Sequence, residues 1–230
     1  MSKKQHQKAQ GEIRKYLLSN HIKHHMFYGP ANDQYWNEKA HIVAINMEPY
    51  GYEDSGVCSI DRDDLIEWIY DAGSTGTKTT RYTLAFISLV LSNIEKGITP
   101  TPDNCSEAYY DDDTIENTLD RSAYYNISPV SNSQKAQDFD TIASTGGTDL
   151  GKLIWEEIKA LDPNVIIVSG VAGLVALNQM MQLETAIEYG DSVIHPDGFL
   201  VQSMRHFSRP SYEDWCLAVE RIGKWIKEGI

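Results

Sequence analysis

Four short apolar runs stand out along the chain, each bounded by residues that interrupt regular structure. Residues 41–47 read HIVAINM and stop at Glu48-Pro49-Tyr50-Gly51, where proline and glycine end the ladder. Residues 122–130 read SAYYNISPV, and residues 164–170 read NVIIVSG after Asp162-Pro163. Residues 198–206 read GFLVQSMRH after the turn His195-Pro196-Asp197-Gly198. Runs of this length, bounded by turn residues, predict buried strands.

Around these runs, apolar residues recur at helical spacing. Helices are predicted over residues 4–20, with Ile13, Tyr16 and Leu17 on one face, and over 63–70. A third, over 82–96, is apolar on nearly all sides and so predicts burial. A closing helix spans 211–227, with Ser211 as its cap and Glu213 and Asp214 in its positively polarised first turn. Ile154, Ile158 and Leu161 mark another helix, and VAGLVALNQMM follows the third strand directly. The segment FYGPANDQYW reads as turns, and the acidic run YYDDDTIENTLD, residues 109–120, as a solvated loop.

Strands alternating with helices imply right-handed crossovers. The expected architecture is α/β, a three-layer α/β/α sandwich with a central four-stranded parallel sheet. Residues 1–230 are read as one domain, with 1–40 as an N-terminal helical extension. Sheets of this kind bind ligands beyond the carboxyl ends of their strands. Those ends carry Glu48-Pro49-Tyr50-Gly51, residues 126–131, Ser169-Gly170 and Arg205-His206-Phe207-Ser208, and all but the third offer side chains for acid, base or hydrogen-bonding work.

Composition narrows the setting. Hydrophobic residues make up 41% of the chain, enough for a folded core. No apolar run approaches the roughly 20 residues that cross a bilayer, and the start MSKKQHQKAQ lacks a secretory apolar stretch, so a cytoplasmic protein with no membrane partner is expected. Cys58, Cys105 and Cys216 are too few and too scattered for a disulfide framework or a zinc site, and neither a metal nor another cofactor is expected. The formal charge of −13 argues against a broad grip on nucleic acid, which needs clustered Lys and Arg, yet allows a local basic groove. Arg205 and Arg209 flank the fourth strand end and can meet a phosphate.

One motif is a decoy. Gly146-Gly147-Thr148-Asp149-Leu150-Gly151-Lys152 approaches a phosphate-binding loop, but Leu153 stands where magnesium needs Ser or Thr, and no apolar strand feeds it. A turn leading into a helix is expected instead.

Together the strand ends resemble the uracil-DNA glycosylase superfamily. The resemblance rests on Asn46-Met47-Glu48-Pro49-Tyr50-Gly51, on Tyr125-Asn126, and on His206-Phe207-Ser208, in that order across residues 40–230. In that family an Asp or Asn immediately before proline positions or activates the attacking water, and Glu48 stands there. An asparagine on the middle strand recognises the pyrimidine edge, which Asn126 matches. A histidine opening the last motif bonds the base carbonyl and stabilises the departing base anion, which makes His206 its counterpart. Asn46, Met47, Pro49, Tyr50, Phe207 and Ser208 complete the implied substrate-binding set. Glu48 is one methylene longer than the family's residue, Asn46 replaces a glycine, and Phe207 replaces a proline.

The implied activity is metal-independent hydrolysis of the N-glycosidic bond of uracil or another modified base in DNA. That chemistry develops positive charge on the sugar and negative charge on the base, so a carboxylate and a neutral donor on opposite sides favour both. The base must also leave its stack, and Tyr50, Tyr52, Tyr124 and Phe207 are candidate platforms. Two other readings stand beside this one: a non-catalytic module of the same fold that binds a nucleotide or partner, and a hydrolase of small nucleosides. Excision from DNA predicts a positive strip beside the strand-end cleft; a nucleoside hydrolase predicts a closed pocket without it.

Overall fold

The computed structural model describes residues 3–22, 25–27, 29–46, 57–59, 62–70, 75–127, 139–207 and 211–229. From the N-terminus, α1 (Lys3–Ser19) leads to β1 (His25–Phe27), β2 (Gly29–Pro30), a 3₁₀ turn at Asp33–Asn37 and β3 (Ile42–Asn46). Next come β4 (Val57–Ser59), α2 (Arg62–Tyr70), α3 (Thr75–Lys96), α4 (Pro102–Tyr110), α5 (Asp112–Arg121) and β5 (Ala123–Asn126). The chain ends with α6 (Phe139–Ser144), α7 (Asp149–Ala160), β6 (Val165–Ser169), α8 (Val171–Met181), β7 (Ser192–Ile194), β8 (Leu200–Met204) and α9 (Tyr212–Glu228).

Among the described residues the main sheet has six strands in the order β2-β5-β3-β6-β8-β7. The inner four are parallel and coincide with the four apolar runs. The expected four-stranded parallel sheet is therefore the centre of a mixed one, because β2 and β7 add antiparallel edges. Edge strands of two and three residues are too short to show a period in the sequence, and Pro30 is tolerated only at such an edge. The turn between β7 and β8 was legible. Its hairpin closes with His195 N–H donating to the Phe199 carbonyl at 2.8 Å, and Gly198 takes φ 88°, which a side chain would oppose.

Alternate strand residues feed two cores, which explains why the runs are apolar throughout. Ile42, Ala44, Tyr124, Val165, Ile167 and Leu200 pack with Phe86 of α3, Leu119 of α5 and Trp215 of α9. Val43, Ile45, Tyr125, Ile166, Val168 and Val201 pack with Leu17 of α1, Ile154 of α7 and Leu177 of α8. Helices thus cover both faces of the sheet.

The acidic run is not a solvated loop: it closes α4 and forms α5. The Asp111 carboxylate accepts from Thr114 N–H, and Asp112 and Asp113 lie in the first turn, where the helix dipole favours negative charge. Ile115, Thr118 and Leu119 then supply a buried face at helical spacing.

The glycine motif is a packing device. Helix α6 precedes it, and Thr148 caps α7 by accepting from Gly151 N–H at 3.0 Å. A Cβ on Gly146 would sit 2.1 Å from the Ala176 carbonyl oxygen of α8. Gly146→Ala is expected to lower stability by about 1–3 kcal/mol through overpacking. Gly147→Ala, whose Cβ would meet the end of the Gln179 side chain at 3.4 Å, should cost clearly less. Urea unfolding of the two variants checks the difference.

Candidate functional site

Strand order reverses around β3, since the chain passes from β3 to β5 on one side and then to β6 on the other. A crevice for ligands forms at such a switch point, beyond the carboxyl ends of the strands. Asn46 and Asn126 are register partners at the ends of β3 and β5, and Ile127 N–H donates to the Asn46 carbonyl at 2.9 Å. On the other side, at the end of β6, the Ser169 hydroxyl donates to Asn46 Oδ1 at 2.5 Å. All three side chains are buried, Asn46 being only 4% exposed.

Ser169 serves one end of the Asn46 amide, and the other end, Nδ2, is buried with no hydrogen-bond partner among the described residues. An orphaned buried donor costs about 1–3 kcal/mol, which an acceptor on a ligand would relieve. Gly170 follows at φ 82° and ψ 153°, a conformation essentially restricted to glycine. It turns the chain from β6 directly into α8, whose N-cap residue, Gly170, has no side chain with which to cap it. The polarised amides at that end favour negative charge.

At the fourth strand end, Arg205 is exposed, with Nε 3.5 Å from an Asp214 carboxylate oxygen. His206 is half-buried. Burial, the largest influence there, raises the Tyr189 phenol above its ordinary pKa. Phe207 is 1% exposed, its ring 5.7 Å from those of Phe86 and Trp215, so it serves the core. Tyr124 does likewise, with its hydroxyl 3.1 Å from Thr80 Oγ1. Neither ring offers a platform to a base. Met47, Glu48, Pro49, Tyr50, Tyr52, Ser208 and Arg209 lie outside the described residues.

The structure thus brings Asn46 and Asn126 together, puts Arg205 and His206 two strands away beyond β8, and sends Phe207 inward. The Ser169-Gly170 strand end is the one from which the sequence predicts no side chain for acid, base or hydrogen-bonding work, yet Ser169 bonds Asn46, because the register of β3 and β6 brings the two together. A cavity beside Arg205 also engages Arg221 of α9, which nothing in the local sequence distinguishes from a surface charge. Among the described residues no three His, Cys, Asp or Glu side chains converge on a point that would hold a metal.

Behind β5 lies a second polar cluster. The Tyr125 hydroxyl donates to Glu157 Oε2, and Glu157 Oε1 lies 3.2 Å from His6 Nε2 of α1. Burial, reinforced by the Glu157 carboxyl group, holds the Tyr125 phenol well above its ordinary pKa, so it remains a donor. Tyr125 directly precedes Asn126, and the cluster therefore anchors the strand end that carries the site.

No protein-family model matches the chain, and a comparison with curated proteins found no match either. Function is accordingly a matter for the site itself.

Proposed function

We propose that the chain is a metal-independent base glycosylase that hydrolyses the N-glycosidic bond of uracil or another modified base in DNA. In this reading its sandwich and parallel strand ends are those of a divergent uracil-DNA glycosylase-like protein, working in the cytoplasm. The observation that carries the proposal is the pair Asn46 and Asn126, abreast at the switch point, with a buried amide donor on Asn46 left over. A pyrimidine edge alternates carbonyl acceptors with an N–H donor, and two neighbouring carboxamides can complement it. The spare Nδ2 takes a base carbonyl, Asn126 reads the edge, and His206 supplies a donor to the departing base. The start of α8 favours the negative charge that develops there. Glu48 orients or activates the water on the opposite side.

The test is release of free base from labelled single- and double-stranded oligonucleotides bearing uracil or other modified bases. Wild type should release one of them. Glu48→Gln should lower turnover by about 10²–10⁴-fold, the usual contribution of a positioned base, and leave oligonucleotide binding nearly unchanged. Equal turnover in the two proteins would remove Glu48 from the mechanism.

A further inference from the structure

We infer that Arg221 and Arg205 form a phosphate subsite that holds the nucleic-acid backbone beside the excised base. This deepens the glycosylase reading and rests on it for the identity of the strand. It assigns a phosphate-bearing polymer, rather than a free nucleoside, as substrate.

A cavity of about 250 Å³ opens between β8 and α9, lined in part by Tyr189, Met204, Arg205, Asp214, Leu217 and Arg221. Arg221 Nη1 donates to Gln202 Oε1 at 3.3 Å and to Ser192 Oγ at 3.4 Å, both neutral acceptors. Among the described residues no carboxylate forms an ion pair with it. Gln202 is 1% exposed, and its Nε2 donates to the carbonyls of Asp191 at 3.2 Å and Ser203 at 2.9 Å. The amide is therefore locked with its oxygen toward Arg221. It orients the guanidinium without neutralising it, and leaves N–H donors in a planar fork suited to phosphate oxygens.

The second cation is weakly committed. Arg205 meets Asp214 at 3.5 Å, and both side chains are at least half exposed, so a phosphate can draw Arg205 away at little cost. The lining carries two cations against one carboxylate, in a chain whose formal charge is −13. Local positive charge against such a background is what excision from a strand requires and a nucleoside hydrolase does not. Tyr189 and Leu217, 44% and 61% exposed, give the cavity an apolar wall for a sugar. The volume falls below the roughly 300–1,000 Å³ of pockets that enclose a whole drug-sized ligand, so it suits a phosphate with its sugar. Arg205, which lines the cavity with Tyr189, directly precedes His206 in the chain. The cavity rim at Arg205 thus adjoins the residue assigned to the departing base.

The test measures fluorescence anisotropy of a labelled single-stranded oligodeoxynucleotide of ordinary bases with the full chain, across a salt series. R221Q should bind about tenfold more weakly, with a salt slope shallower by about one. R221K should fall between, since it keeps the charge and loses the fork. K224Q, on the same helix but outside the cavity lining and paired with Glu228, should bind as wild type and so exclude an effect of net charge. No binding by wild type, or equal binding by wild type, R221Q and R221K, would overturn the subsite even if base release proceeds. Conversely, Arg221-dependent binding without release of any base would uphold the phosphate subsite and retire glycosidic hydrolysis. Displacement of the strand by an equal concentration of deoxynucleoside 5′-monophosphate would overturn the polymer assignment in favour of a free nucleotide.

Discussion

Glu157→Ala is expected to lower stability by about 3–5 kcal/mol, the usual cost of removing one member of a buried interacting pair. Glu157 is fully buried on α7 and meets two groups from distant parts of the chain, Tyr125 of β5 and His6 of α1. Its removal leaves the Tyr125 hydroxyl and the His6 ring without that carboxylate, and opens a void between two helices and the sheet. The penalty thus combines lost hydrogen bonding with cavity formation. Tyr125→Phe removes only one bond and should cost about 1–2 kcal/mol. If the three groups act as a unit, the double variant will lose less than the sum of the single losses. Urea unfolding followed by tryptophan fluorescence measures all four proteins. A loss under 1 kcal/mol for Glu157→Ala would mean that α1 and β5 are held by their apolar faces alone.

A large effect on activity is also expected at His206. His206→Ala should lower base release by about 10²–10³-fold, the range for losing one donor to a developing anion. The effect should fall on turnover rather than on strand binding, because the donor matters most where charge accumulates on the leaving base. His206 is half-buried and follows β8, so alanine there should leave the urea midpoint near that of wild type. His206→Ala that weakened binding and left turnover intact would make the residue a docking contact and return the leaving-group role to the start of α8.

Much of the frame was legible in the sequence because the inner strands are buried on both faces. Continuous apolar runs such as VIIV within β6 admit few other readings, and each ended at a residue that breaks a ladder. What escaped depended on brevity or on distance along the chain. Strand β2 is two residues long, and β7 pairs only through the hairpin at Gly198. Helix α5 was obscured because three successive aspartates suggested repulsion, although one of them caps the helix and two sit where its dipole stabilises them. The cue was available: an aspartate with threonine three residues on, then Ile115 and Leu119 at helical spacing.

At the site, periodicity located the strand ends but not which way their side chains face. Asn126 and Asn46 could be named singly; that they stand abreast follows from strand register, which brings residues 80 positions apart into pairing. Phe207 shows the converse. Its place next to His206 suggested a ligand surface, whereas Phe86 and Trp215, from helices far away in sequence, draw its ring into the core. Arg221 was invisible for the same reason, since its significance comes from Gln202 and Ser192 on neighbouring strands.

The most direct test of base excision is to incubate the full chain, in excess, with oligonucleotides each carrying one modified base, and to quantify both free base and abasic sites. Equal amounts of the two products are expected from at least one substrate, with release nearly abolished by His206→Ala. No free base from any substrate, at protein concentrations where the strand is bound, would contradict base excision.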